Sequence, residues 1–247
     1  MMPERRPNRF LIPALLALAP PLAADAGVLI PSNLEHPDPK LLSIAEMSVN
    51  VVIDEGHARV AVRQIFSSRH HSVLEGTWLF ALPGRATVSD FAVWDGLVRI
   101  PGVILERRRA EEIYENLRWQ AIDPGLLQVG ERGAEEARRT AVFSARIVPI
   151  PAYGSKRIEF EYQEPLPVEN LVSYFAVPLR PDAYRAQSVG LLSIQVELRS
   201  SHPIGAFEAV PKAYPLRIAE QTPNLVRAAF EGHGAALSED FALKWTL

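Results

Sequence analysis

Along most of this chain apolar and polar residues alternate, and one stretch breaks the alternation. Met47, Val49, Val51 and Ile53 are spaced by Ser48, Asn50 and Val52, and Ala58, Val60 and Val62 are set against Arg59 and Arg63. A period of two puts successive side chains on opposite faces, the signature of a half-buried strand. Asp54-Glu55-Gly56 separates the two runs and predicts a hairpin. Residues 77–82, stopped by Pro83-Gly84, and residues 87–94, stopped by Asp95-Gly96, predict two further strands. Short strands are expected over 97–100 and 103–105, around Pro101-Gly102.

The alternation resumes at Ala141, Phe143, Ala145 and Ile147, and residues 149–154 read as a turn. Ile158, Phe160 and Tyr162 then alternate strictly with Arg157, Glu159, Glu161 and Gln163, a strand with one face in a core and one in water. Strands are expected over 171–179, 189–198 and 225–230, and Phe241, Leu243, Trp245 and Leu247 alternate to the last residue.

The break is at residues 106–117. Ala110, Ile113, Tyr114 and Leu117 fall at i, i+3, i+4 and i+7, one face of an α-helix, with Glu111, Glu112 and Glu115 off that face. Arg107, Arg108 and Arg109 stand near its start, the unfavourable end of the helix dipole for a cation. Residues 130–139 are charged, lack apolar periodicity and read as an exposed loop. Together these elements predict an all-β chain, a β-sandwich with one short α-helix near residues 107–118. Residues 169–247 form an additional β region that either completes the first sandwich or begins a second, smaller β lobe.

Composition narrows the class. With 247 residues, 48% of them hydrophobic, the chain can bury one large core or two small ones. Its 21 prolines and 14 glycines suit many short strands joined by turns better than a helical bundle. A net charge of −3, mixed in sign along the chain, leaves no electrostatic footprint for nucleic acid.

At the N-terminus Arg5, Arg6 and Arg9 precede an apolar run over 10–23, followed by Ala24-Asp25-Ala26. That is the layout of a secretory signal peptide over residues 1–26, with cleavage after Ala26. The run is short for a bilayer span and holds Pro13, Pro20 and Pro21. No membrane span is expected after signal removal, and residues 27–40 read as an extended lead-in. The chain has no cysteine, which fits a bacterial periplasmic or secreted protein and excludes a thiolate metal site and a cysteine nucleophile.

Candidate chemistry is sparse. His70-His71 is the most metal-like pair, but neighbours on a strand point to opposite faces and chelate one ion poorly. His36, His57, His202 and His233 are scattered singly. Glu111-Glu112, Glu135-Glu136 and Glu239-Asp240 are paired carboxylates in polar, solvated contexts, whereas glycoside hydrolysis needs two held roughly 5–10 Å apart in a cleft. Alternation places at least two of Trp78, Trp94, Trp119 and Trp245 in a core. There is no nucleophile elbow, P-loop or dinucleotide-binding glycine pattern. No catalytic residue, cofactor or metal site is expected. The densest basic cluster, Arg107, Arg108 and Arg109, with Trp119 beyond the helix, is the candidate partner contact. Guanidinium forks and exposed aromatics are common at protein interfaces.

The ordered set of elements resembles the vault protein inter-alpha-trypsin (VIT) domain over residues 41–168. The resemblance is carried by Leu79 to Pro83 (LFALP), by the strand from Phe91 to Trp94, and by Ile104-Leu105-Glu106-Arg107 with Ala110 and Tyr114. Phe143, Ile147 to Gly154, Tyr162 and Leu166 complete it. It implies a β-sandwich-like domain with one short helix, of the kind that stands before a von Willebrand type A domain. That partner carries Asp-x-Ser-x-Ser, which does not occur in this sequence. The phrase from Asp240 to Trp245 looks like the strand that leads into the type A domain. The resemblance therefore implies a fragment, a split gene product or a VIT protein without its usual partner. The reading is an exported, non-catalytic module for protein–protein or cell-surface interaction, with a type A domain in cis or in trans as a possible partner. The alternative is a carbohydrate-active or other hydrolytic β-sandwich enzyme. A purely structural envelope protein is a third reading.

Overall fold

A computed structural model describes residues 27–83, 85–105, 126–130, 140–166, 168–169, 171–180, 187–210 and 212–247. In chain order the first strands are β1 (Val28–Pro31), β2 (Leu42–Asp54), β3 (His57–Ser68), β4 (Leu74–Pro83), β5 (Thr87–Asp95) and β6 (Val98–Pro101). They are followed by β7 (Val103–Leu105), β8 (Leu126–Gly130), β9 (Thr140–Ile150), β10 (Ser155–Pro165), β11 (Val168–Glu169) and β12 (Val172–Val177). The last are β13 (Ser188–Arg199), β14 (Phe207–Ala209), β15 (Arg217–Thr222), β16 (Leu225–Ala236) and β17 (Phe241–Thr246). No helix occurs among the described residues. The helix expected near residues 107–118 falls outside them.

Three sheets share one core. The eight-stranded sheet runs β15-β16-β13-β2-β3-β10-β5-β6. Facing it are a five-stranded sheet, β1-β4-β9-β8-β7, and a four-stranded sheet, β11-β12-β17-β14. The alternation read from the sequence is what divides the faces. Val49, Val51, Val60, Val62, Ile158 and Phe160 are buried, while Asn50, Val52, Arg59 and Arg63 face out. The centre between the layers is aromatic. Trp78 and Phe80 of β4 meet Phe91 of β5 and Phe160 of β10, with ring centroids 5.0 to 5.7 Å apart.

The inward phase of β2 changes along its length, from Leu42 and Ile44 to Met47, Val49, Val51 and Ile53. A β-bulge between Ile44 and Glu46 absorbs the extra residue, Ala45. The parallel neighbour β13 passes this bulge with Gly190, where a Cβ would lie 2.5 Å from the Ala45 carbonyl oxygen. Only a residue without a side chain permits that approach.

Residues 28–31, part of the expected lead-in, are a strand in their own right. β1 pairs antiparallel with β4, and Val28 and Leu29 are buried. Gly27, at φ +61°, accepts a hydrogen bond from Gln64 Nε2 at 2.8 Å, and Trp78 Nε1 donates to Gln64 Oε1 at 2.9 Å. Gln64 is itself 1% exposed, so one buried amide ties the first described residue to the aromatic centre. A Cβ on Gly27 would meet the Gln64 amide at 2.5 Å. Gly27→Ala should therefore cost about 1–2 kcal/mol, from the left-handed backbone and the displaced Gln64. A urea melt checks this, and an unchanged midpoint would refute the clasp.

Residues 169–247 add strands to the sheets already described. β13 lies parallel to β2 from Val189↔Ile44 to Arg199↔Asp54, and β16 continues outward from it. β17 sits between β12 and β14. Leu192, Ile194, Val196, Phe241, Leu243 and Trp245 join the same core cluster as Trp78 and Phe160. The smaller second lobe considered for this region thus has no separate core among the described residues. Asp240 Oδ1 accepts hydrogen bonds from the backbone N–H groups of Leu179 and Arg180, at 3.0 Å each. Tyr214 Oη donates to the Glu239 carbonyl at 2.9 Å, and burial pushes its hydroxyl pKa up to about 12.

Candidate interaction site

The strands of the eight-stranded sheet end together at one side of the molecule, and three connections crown that end. The β9–β10 turn carries Tyr153, whose N–H donates to the His70 carbonyl in the β3–β4 connection at 3.0 Å. The β5–β6 hairpin turns at Asp95-Gly96, in register with the start of β10 through Trp94↔Arg157. Large apolar side chains stand out from these tips. Leu97 is 95% exposed and Tyr153 72%, with Val73 and Val98 also in water. A soluble surface normally scatters such residues singly, so a group of four on adjacent tips is informative.

Behind the tips the outward face of the sheet is a ladder of paired charges. The Arg157 guanidinium lies over the Trp94 ring, 4.1 Å from its centroid, and pairs with Glu159. Arg99 bridges Asp90 and Glu159, the latter at 3.2 Å. Arg59 meets Glu161 at 2.9 Å, and Ser89 Oγ donates to the same carboxylate at 2.7 Å. Partial burial opposes the charge on Glu159. The Trp94 indole turned toward it, without full hydrogen-bond geometry, and the Arg157 and Arg99 guanidinium groups outweigh that opposition. They hold its carboxyl below the usual range. A carboxylate so held is a poor general acid near neutral pH. Beside the ladder is an open depression of about 490 Å³ to which Ser48, Asn50, Arg63 and Gln195 contribute.

The residues singled out in the sequence divide as follows. Arg107, Arg108, Arg109 and Trp119 lie outside the described residues. His70 and His71 follow β3 in a connection instead of occupying a strand, with ring centroids 4.4 Å apart, and the Ser72 N–H donates to His70 Nδ1 at 3.2 Å. Among the described residues no group of three His, Cys, Asp or Glu is placed to hold a metal ion. Trp78 and Trp245 are buried, and Trp94 is half-buried under Arg157. The Trp94–Arg157 stack was missed because it depends on the pairing of β5 with β10, which no local pattern encodes. The tips left a usable trace, an apolar Leu97-Val98 placed directly after the Asp95-Gly96 turn.

The topology and the sequence meet in one comparison. Residues 44–177, more than half of the chain, match the family model of the vault protein inter-alpha-trypsin domain. The chain belongs to the VIT family. The matched span of this VIT chain ends with β12, so β13 to β17 lie beyond it, and β13, β16 and β17 share its core. No curated protein sequence matches the chain. Among solved structures, a proposed nutrient-binding protein of Legionella pneumophila shares the fold, with a TM-score of 0.57 at 11% identity over 91% of this chain and 73% of its own. An M1 zinc metallopeptidase of Deinococcus radiodurans overlaps with a TM-score of 0.44 at 9% identity, over 82% of this chain and 42% of its own. Among the described residues of this VIT chain, no helix is long and apolar enough to cross a membrane.

Proposed function

We propose that this VIT-family chain is an exported, non-catalytic interaction module that docks a protein partner through the loop end carrying Leu97, Val98, Val73 and Tyr153. The observation that carries the reading is the grouping of these exposed apolar tips beside the Trp94–Arg157 stack. Tyrosine, tryptophan and arginine are the residues enriched where interface energy concentrates. The preferred partner is a von Willebrand type A domain, in cis or in trans, which the VIT resemblance supports. Export is supported by the signal-peptide layout of residues 1–26.

Isothermal titration of a type A domain from the same source organism into the chain tests this. Binding is expected, and Leu97→Asp combined with Tyr153→Ala should weaken it at least tenfold, because both side chains are exposed and neither supports the core. Unchanged binding in that double variant would remove the tips from the reading. Hydrolysis of a polysaccharide by the purified chain would replace the reading with the enzymatic alternative.

A further inference from the structure

One row of registered side chains crosses the outward face of the eight-stranded sheet at right angles to the strands. From β16 to β5 it reads Ala229, Gln195, Asn50, Ala61, Glu161 and Asp90. Outward positions on paired strands lie opposite one another, so the register alone lines them up. The two alanines interrupt longer side chains. An open depression lies at each, of about 350 Å³ at Ala229 and about 490 Å³ at Ala61. Both volumes fall in the range of small-molecule sites. Asn50 and Gln195 line both depressions and form the ridge between them. β13 and β2 separate the two alanines, which at about 4.8 Å per strand stand about 14 Å apart.

The lining selects the occupant. Three arginines and four carboxylates border the two depressions, so their charge nearly cancels. Most are already paired across the strands: Glu161 with Arg59, Glu159 with Arg157 and Arg99, and Glu197 with Arg227. A polyanion would meet the four carboxylates and find only Arg63 uncommitted. Ser48, Asn50, Arg63 and Gln195 make no side-chain hydrogen bond or ion pair among the described residues, and all but Ser48 are exposed. A ligand therefore replaces water at these groups without breaking a contact of the fold. Each amide sets a carbonyl acceptor beside an NH2 donor, which matches neighbouring hydroxyl groups that each donate and accept. No exposed aromatic ring lines either depression, whereas protein interfaces concentrate their energy on such anchors.

We propose that the two depressions form one binding face for an uncharged polysaccharide, laid across the strands with its hydroxyl groups on Asn50 and Gln195. A single sugar ring reaches one depression, and a chain reaches both. The face is separate from the loop tips, so the proposal goes beyond the protein-docking reading and stands without it.

The probes are the neutral hexasaccharides cellohexaose, maltohexaose, laminarihexaose and chitohexaose, titrated into the isotopically labelled whole chain and followed by NMR. At least one should shift and saturate the side-chain amide signals of both Asn50 and Gln195, and should bind more tightly than its own monosaccharide. Asn50→Ala combined with Gln195→Ala removes both amides from exposed positions. It should weaken that sugar about tenfold, with the rest of the spectrum preserved. Ala61→Leu fills the larger depression and should weaken it likewise. Absence of saturable shifts with all the neutral sugars would overturn the proposal, as would unchanged affinity in both variants. A galacturonic acid hexamer bound as tightly as the neutral chain would overturn the uncharged class. The variant carrying Leu97→Asp and Tyr153→Ala should bind the sugar as the wild type does, and lost binding there would overturn the placement on the sheet face. A chain that binds the sugar yet ignores the type A domain would refute the loop-end reading alone.

Discussion

Replacing Trp78 with alanine is expected to lower the unfolding free energy by about 4–6 kcal/mol. Trp78 is 0% exposed and touches Phe80, Phe91 and Phe160, so truncation opens a cavity between both layers. Large-to-small changes of this kind cost about 3–5 kcal/mol. The variant also strands Gln64, whose Oε1 accepts the indole N–H, and a buried polar group left without its partner costs about 1–3 kcal/mol. Since a whole domain is stable by only about 5–15 kcal/mol, this one change should bring the chain close to unfolding at ambient temperature. Denaturant unfolding followed by circular dichroism measures the loss. Trp78→Phe separates the two contributions, because it keeps most of the ring volume and removes only the donor. A Trp78→Phe variant as damaged as Trp78→Ala would mean that packing at this position is not the main effect.

The β-strands were legible because their faces differ so strongly. Ile158, Phe160 and Tyr162 against Arg157, Glu159 and Glu161 can be read only one way, and the hairpin at Glu55-Gly56 follows from its turn residues. The strands that escaped reading lack that contrast. β15 is exposed at every position, an edge strand with no buried face to mark it, and β14 is three residues long. β1 was hidden because Val28 to Pro31 is a continuous apolar run with no alternation. Pairing was less legible still. Nothing local predicts that β13 runs parallel to β2 and closes the core of a domain whose family match ends earlier in the chain. The candidate sites depend on such pairing. Arg157 meets Trp94 only through the β5–β10 register. The loop end of the molecule is therefore a product of topology, whereas the core behind it is written in the alternation.

Stability should fall as pH rises from about 4.5 to 7, and the cause should be a single side chain. Glu164 is the penultimate residue of β10, on its buried face and two residues after Tyr162. Burial pushes its carboxyl pKa up from 4.5 to about 7, and no ion pair or hydrogen bond among the described residues offsets this. Tyr162, fully buried with its hydroxyl unpartnered, offers a surrounding no kinder to charge, and burial followed by the charge of Glu164 raises its own pKa well above the ordinary value. The sign follows from proton counting. Between pH 4.5 and 7 the folded chain holds a proton on Glu164 that the unfolded chain has released. The slope of unfolding free energy against pH is therefore negative across that window and flat above it. Full ionisation costs at most about 3 kcal/mol, and about 2 kcal/mol once solvent at the strand end is allowed for. Glu164→Gln keeps the shape without the charge. It should raise stability at pH 8 by about 2 kcal/mol, which for a chain of this size is roughly 4–8 °C in Tm, and should change little at pH 4. Thermal melts of both proteins from pH 4 to pH 9 would show two curves that coincide in acid and separate through neutrality. Parallel curves across the whole range would mean that Glu164 finds a partner in the folded chain, and that the slope belongs to other groups.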